Sequence, residues 1–207
     1  MADVPESWPP GGPSPSAPRV APLFPLPKVF LFPGVVVPLQ VFEPRYRQMV
    51  ADLLDCQGRL VICSIVGGHE DEAAGTPPVY PVAGLGEIVK HTRLPDGRFL
   101  ITVAGLARVR IREVESDRLY RKVEYEPIQE VQPSRKQAGA LCDRLRKAIL
   151  KSSEVFLNLP PDLPPGQLTD LLLASLDLPV DRLQQAFAEP VVTRRAEIAL
   201  GAHEARP

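Results

Sequence analysis

The first half of the chain consists of short hydrophobic runs separated by turns rich in glycine and proline. Runs rich in β-branched and aromatic residues predict strands, because these side chains pack well on a pleated sheet. Strands are predicted at residues 28–32, 35–41, 60–66, 82–92, 99–104, 107–114 and 119–128. Since most of these runs are joined by short connections, the expected sheet is mixed and mainly antiparallel.

Two proline–glycine turns lie between these runs. Pro33-Gly34 predicts a tight reversal and a hairpin between the runs on either side of it, and residues 94–98 (Leu-Pro-Asp-Gly-Arg) predict a second hairpin. Proline presets φ for a turn and glycine accepts positive φ. Gly84 and Gly86 fall inside a predicted strand, which indicates a bulge or the close approach of another backbone.

Helical periodicity appears first at residues 44–54, where Glu43 is expected at the N-cap and Pro44 in the first turn. From Ser134 to Phe156 apolar residues recur every three or four positions, which predicts a long amphipathic helix. Shorter helices are predicted at residues 167–175, 179–188 and 190–203. The chain is thus expected to be of the α+β class, with the helices gathered in its second half.

Composition predicts a disordered tail and argues against nucleic-acid binding. Residues 1–21 are rich in proline, glycine and serine, so we expect a disordered tail that buries little apolar surface. The formal net charge of the 207 residues is −1. Binding to nucleic acid draws its affinity largely from lysine and arginine. The near-neutral charge therefore argues against nucleic acid as the partner.

The three cysteines, Cys56, Cys63 and Cys142, form no CxxC pair, so we expect buried free thiols rather than a disulfide framework or a zinc site. No signal peptide is evident, and no apolar run approaches the roughly 20 residues that span a bilayer. These features predict a soluble, cytoplasmic protein without a membrane partner. His69 with the acidic run at residues 70–72 is interpreted as a solvated loop, not a metal site.

Motifs of catalysis are missing from the sequence. There is no phosphate-binding G-x-x-x-x-G-K-[ST] loop, no HExxH helix and no G-x-S-x-G elbow. His69, His91 and His203 lie in unrelated contexts. We therefore expect a non-enzymatic protein with no cofactor and no metal. A hydrolase site assembled from distant positions stays open as an alternative, because catalytic triads converge from distant parts of a chain.

An ordered series of segments carries a family resemblance: residues 23–46 (LFPLPKVFLFPGVVVPLQVFEPRY), 95–98 (PDGR), 105–111 (GLARVRI) and 176–179 (LDLP). From about residue 23 to about residue 202 the chain resembles the Lon N-terminal domain, and its FEPRY form, residues 42–46, is similar to small proteins that carry this domain by itself. The resemblance implies a PUA-like β-domain at residues 22–131 and a helical bundle of the same unit at residues 132–207.

The resemblance also implies a function. The expected function is binding of unfolded or extended protein segments, as an adaptor or client-holding protein in quality control that acts beside a separate protease or chaperone. Capture is expected on an apolar surface between barrel and bundle, with pairing at a strand edge as a further mode. The alternative is a PUA-like RNA-binding protein. The oligomeric state is not readable from the sequence.

The candidate peptide-binding residues come from two places. Phe42, Glu43, Arg45 and Tyr46 belong to the FEPRY segment, and Arg108 belongs to an alternating arginine row on a predicted strand. Each has a structural alternative. The FEPRY residues would cap the helix and pack Tyr46 under the sheet, and the arginines would form a solvated strand face.

Overall fold

The computed structural model describes residues 19–152 and 159–205. These residues form six strands, β1 (Val20–Leu26), β2 (Val36–Val41), β3 (Arg59–Ser64), β4 (Val82–Arg93), β5 (Phe99–Val114) and β6 (Lys122–Pro127). They also form five α-helices, α1 (Pro44–Leu54), α2 (Arg135–Ser152), α3 (Pro165–Ala174), α4 (Val180–Ala188) and α5 (Val192–Glu204), and a 3₁₀ turn at Glu70–Glu72. The fold is α+β, as expected.

The strands form a closed barrel because β5 is long enough to pair with three neighbours. The sheet order is β2-β5-β4-β3-β1-β6, and β5 also pairs with β6, which closes the ring. Only the β1–β3 pairing is parallel among the described strands. Beyond the barrel, β2 and the adjoining halves of β5 and β4 continue as a three-stranded ribbon. The mainly antiparallel barrel is therefore confirmed.

The hairpin predicted around Pro33 is wrong, although the turn exists. Val35 donates its backbone N–H to the carbonyl of Phe32 over 3.1 Å, and Gly34 has φ of 78°. The first strand is β1, which pairs in parallel with β3, and the segment before the turn is not a strand. Leu31 and Phe32 are buried because the segment crosses over the sheet.

Glycines in the strands make room for this crossing segment. A Cβ at Gly84 would lie 2.3 Å from the Leu31 carbonyl oxygen, and one at Gly105 would lie 2.1 Å from that of Phe32. The register also shifts between Leu85 and Gly86. The close approach and the bulge predicted from the strand glycines are therefore confirmed.

At two places the predictions reach beyond the described residues. Strand β1 begins at Val20, inside the segment assigned to the tail because of its prolines, and residues 1–18 of that tail lie outside the described residues. The long amphipathic helix is present as α2, and its predicted continuation to Phe156 also lies outside them.

Two of the cores position the surfaces discussed below. Helix α1 packs its buried side chains, which are Tyr46, Met49, Val50 and Leu53, against the inner face of the ribbon. A second core joins the barrel to the helices, since Phe32 and Val82 pack with Phe187 and with the leucines of α3. Consequently the ribbon is covered on one face only.

Candidate functional site

The FEPRY segment fixes the start of α1. Glu43 occupies the expected N-cap position, but its side chain makes no capping hydrogen bond and instead accepts one from Arg45 Nε over 3.0 Å. Arg45 also donates to the carbonyl oxygens of Gly75, over 2.6 Å, and Ala73, over 2.5 Å. Arg45 therefore ties the loop after β3 to the helix. Phe42 differs from these residues, because 62 % of it is exposed.

Tyr46 belongs to the core beneath α1. It is 4 % exposed, its ring centroid lies 4.4 Å from that of Phe24, and the Arg45 guanidinium lies over its ring at 4.5 Å. Burial raises the pKa of Tyr46 to about 12. The phenol is thus neutral and packed, and Phe42 is the large apolar side chain that the segment presents to solvent.

Arg108 is buried, so the interpretation of its strand as a solvated arginine face is wrong at this position. It is 2 % exposed, whereas Arg110 and Arg112 are exposed. Its guanidinium lies 4.9 Å from the ring centroid of Phe187, and its Nε donates to the Phe187 carbonyl over 2.8 Å. The helices cover this part of β5, which the alternation of the strand alone could not reveal.

Four charged side chains form ion pairs across the contact between the barrel and the helices. Arg108 contacts Asp170 of α3 at 2.5 Å and Glu130, which follows β6, at 2.7 Å. Arg195 of α5 contacts the same carboxylates at 3.1 Å and 2.7 Å. Burial raises the pKa of Asp170 and lowers that of Arg108, and the opposite charges counteract both shifts. We call these four residues the junction cluster.

Sequence reasoning missed three members of the junction cluster. The available signal was an aspartate inside the apolar run of α3 (LTDLLL) and an arginine on the buried side of α5. A charge at a core position needs a buried partner of opposite sign. That rule predicts pairing, but it does not say that the partner lies on the barrel.

The junction is packed rather than open. The ring centroids of Phe32 and Phe187 are 5.1 Å apart, and Gln184 of α4 donates to the Val82 carbonyl over 3.1 Å. The hydroxyl of Tyr80 donates to Asp181. These contacts pack the barrel and the helices closely together at these residues.

The uncovered face of the ribbon, which we call the outer face, is the exposed apolar surface next to the FEPRY segment. Cross-strand pairing arranges nine of its residues in three rows, Val36–Ala104–Glu87, Pro38–Thr102–Lys90 and Gln40–Leu100–Thr92. Val36 is 54 % and Leu100 44 % exposed. Phe42 continues the alternation of exposed positions along β2.

A shallow depression of about 430 Å³ lies on the outer face, lined by Pro38, Gln40, Lys90, Thr92, Leu100 and Thr102 among others. Strand β2 is the edge of the ribbon, and Val35 accepts a hydrogen bond from the Gly105 N–H over 2.8 Å. Because bonding alternates along an antiparallel pair, the backbone groups of residues 36, 38 and 40 point to the free edge. Pro38 contributes no N–H there.

The structure gives little support to a metal site or a reactive cysteine. His69 Nδ1 lies 2.7 Å from Glu72 Oε1, and no group of potential ligands that could hold a metal ion occurs within residues 19–152 and 159–205. The cysteines are free, and Cys56 is exposed, contrary to expectation. Burial raises the pKa of Cys63 to about 12, so this thiol is inert. None of the described helices is both long and apolar enough to cross a membrane.

Comparison with known proteins decides the family. The family described as "ATP-dependent protease La (LON) substrate-binding domain" matches residues 20–202. The chain belongs to this family. The match is confined to the substrate-binding domain and does not include an ATPase or peptidase domain. Both the resemblance read from the sequence and the PUA-like character of the barrel are thereby confirmed.

Solved structures share the fold of this substrate-binding domain. The chain is similar to the Lon N-terminal domain protein from Xanthomonas campestris, with a TM-score of 0.64 and 24 % identity over 88 % of this chain and 97 % of that one. It is also similar to the N-terminal domain of Mycobacterium avium complex Lon protease, with a TM-score of 0.68 and 16 % identity over 91 % and 100 % of the two chains.

Curated relatives are much longer proteins. Lon protease of Anaeromyxobacter dehalogenans is 26 % identical over 193 residues, which are 88 % of this chain and 23 % of the relative. Lon protease 2 of Sorangium cellulosum is 31 % identical over 171 residues, or 79 % and 21 %. The chain thus spans between a fifth and a quarter of the length of these two proteins.

Proposed function

We propose that this Lon substrate-binding domain binds extended segments of other polypeptides on its outer face, without chemically altering them. The observation that carries the proposal is the exposure of Val36, Leu100 and Phe42 on one side of a ribbon whose other side is held by α1. Val36 and Leu100 lie two rows apart, with Pro38 in the row between them, and apolar side chains exposed together on one surface mark interaction sites. A rigid support lowers the ordering cost of binding.

The FEPRY residues divide into two roles in this proposal. Phe42 contacts the bound segment, while Glu43, Arg45 and Tyr46 hold the start of α1 and so position Phe42. Arg108 acts indirectly, because its buried guanidinium fixes β5 against the helices. This assignment replaces the direct role that the sequence suggested for Arg108.

The charge of the outer face favours polypeptide over RNA. The nine residues of its three rows include one lysine and one glutamate, Lys90 and Glu87. An RNA-binding sheet needs an excess of basic side chains to neutralise phosphates. We further propose an adaptor or client-holding role in the cytoplasm, beside a separate protease or chaperone, since the matched domain belongs to proteases in the curated relatives.

Binding of a fluorescently labelled, reduced and carboxymethylated model protein tests the proposal. We expect Leu100→Ser and Phe42→Ser each to weaken binding about fivefold to tenfold, because each removes an apolar contact of roughly 1–1.4 kcal/mol. Leu119→Ser is the matched control, since Leu119 is 66 % exposed but lies between β5 and β6. Urea unfolding should show that all three variants remain folded, and the bound protein should be recovered uncut.

Two results would contradict the proposal. Equal affinity of the wild type and both outer-face variants would show that this surface is not used. A comparable loss in Leu119→Ser would show that any exposed leucine matters and that binding is unspecific.

A further inference from the structure

A groove lies between α1 and the far end of the β4–β5 hairpin. Two adjoining cavities of about 370 and 420 Å³ share Ala51, Arg93 and Phe99 in their walls. Pro44 and Arg47 line one end, and Leu54 lines the other. The groove begins at Pro44, two residues after Phe42, and Thr92 lines both the groove and the depression on the outer face.

Two arginines, Arg47 and Arg93, line the groove. Neither Arg47 nor Arg93 forms an ion pair with an acidic side chain within residues 19–152 and 159–205. The Arg93 guanidinium lies 5.8 Å from the ring centroid of Phe99. The Arg47 guanidinium packs on the turn, where a Cβ at Gly97 would lie 2.1 Å from its Nη2. Both cations are therefore held in place without a direct ion pair to a described carboxylate, although Arg47 lies close enough to Asp96 to help lower the pKa of that carboxyl.

Neighbouring carboxylates offset these two charges only in part. Asp96 accepts hydrogen bonds from the Arg98 backbone N–H over 3.0 Å and from Arg98 Nε over 2.6 Å, and these bonds, together with the charges of Arg98 and Arg47, lower the pKa of Asp96. His91 and Asp55 line the end of the groove near Leu54. The surface beside Pro44 and Phe99 thus combines an apolar floor with a local positive charge.

We propose that this groove binds an extended protein segment in which an acidic side chain lies next to an apolar one. The inference rests on the proposed function and names the chemistry of the bound segment. Arg47 and Arg93 would accept the carboxylate through charge-assisted hydrogen bonds, and Ala51, Leu54 and Phe99 would contact the apolar neighbour. The outer face would bind the rest of the segment through apolar contacts.

The test compares two short, apolar, labelled peptides, acetylated and amidated at their ends, that differ only in a central glutamate or glutamine. We expect the wild type to bind the glutamate peptide about fivefold more tightly at low salt, since partly exposed ion pairs contribute modestly. The preference should shrink at high salt because screening weakens it. A third peptide, with the glutamine and a free terminal carboxylate, should bind like its amidated form.

Variants assign the preference to the groove. Arg93→Gln and Arg47→Gln should each reduce the preference, taken as the ratio of the two peptide affinities, at least twofold, while Arg93→Lys should retain it. Arg110→Gln, which removes an exposed arginine elsewhere on β5, should have no effect. Arg93→Gln is independent of any change in the turn that Arg47→Gln causes.

The outcomes separate this inference from the proposed function. If the wild type binds both peptides equally and loses both in Leu100→Ser, the inference is wrong and the proposed function stands. If the preference persists in both groove variants, or if the free terminal carboxylate restores the affinity, the assignment to an acidic side chain in the groove is wrong. Absence of binding to either peptide would overturn both.

Discussion

Strand β5 carries two regions with opposite distributions of polarity. Near its end the junction cluster buries Arg108 at 2 % exposure, and near its start the outer face exposes Leu100 at 44 %. The helices explain the difference, because α3 and α4 contact Arg108, whereas α1 packs only on the inner face of the ribbon and leaves the face that carries Leu100 uncovered. From residue type alone, Arg108 would be expected at the surface and Leu100 in the core.

The two regions therefore have different roles. In the junction cluster, two cations and two carboxylates fix how the barrel meets α3 and α5. A buried ion pair is weak evidence for stability, but it is costly to break, because removal of one partner leaves the other charge unpaired. On the outer face, exposed apolar side chains lower solubility, so a binding partner offers a physical reason for them.

Arg108→Ala should give the largest effect. We expect a loss of about 3–5 kcal/mol in the free energy of unfolding, because the change leaves the buried Asp170 and the partly exposed Glu130 with one cation instead of two. Urea unfolding followed by circular dichroism measures this loss.

Arg110→Ala is the matched control for this change and should lie within about 0.5 kcal/mol of the wild type, since Arg110 is exposed on the same strand. If Arg108→Ala were as stable as the control, the junction cluster would not hold the two halves together, and the contrast between the two regions would lose its basis.

Gly105→Ala should have the next largest effect, because the segment that contains Leu31 and Phe32 crosses over the sheet at this glycine. A Cβ there would lie 2.1 Å from the Phe32 carbonyl oxygen, so we expect a loss of about 2–3 kcal/mol from overpacking. Gly139→Ala, at an exposed position of α2, meets nothing within 4 Å and should stabilise the protein by up to about 1 kcal/mol. If thermal unfolding gave the two variants similar stabilities, the close approach of Phe32 to Gly105 would be contradicted.

Local chemistry predicted most of the fold. The Pro95–Arg98 turn joins β4 to β5 with Gly97 at φ of 82°, and the helical periods of the second half match α3, α4 and α5 within about two residues. These features depend on neighbours along the chain, which a sequence displays directly.

Features set by distant parts of the chain were not predictable in the same way. Leu31 and Phe32 look like strand residues, because burial under a crossing segment requires the same side chains as burial in a sheet. The alternation at Arg108, Arg110 and Arg112 predicts which residues share a side of β5, but not that helices cover the first of them. Phe42 could be nominated from the sequence, whereas Leu100 needed the register of three strands. The groove needed the packing of α1, which carries Arg47, beside the strand end that carries Arg93.

Pro38→Thr should give the smallest change in stability and separates two ways in which the ribbon could hold a segment. Threonine restores an N–H at the free edge of β2, where proline now interrupts the row of donors, so strand pairing becomes easier. We expect unfolding to change by no more than about 0.5 kcal/mol, while sedimentation at high protein concentration shows more self-association than the wild type. Pro161→Thr, at an exposed turn, should sediment as the wild type does. If Pro38→Thr sedimented as the wild type does, this proline would not protect the edge of β2 from pairing. Pairing at this edge would then be as acceptable a mode of binding as side-chain contact on the outer face.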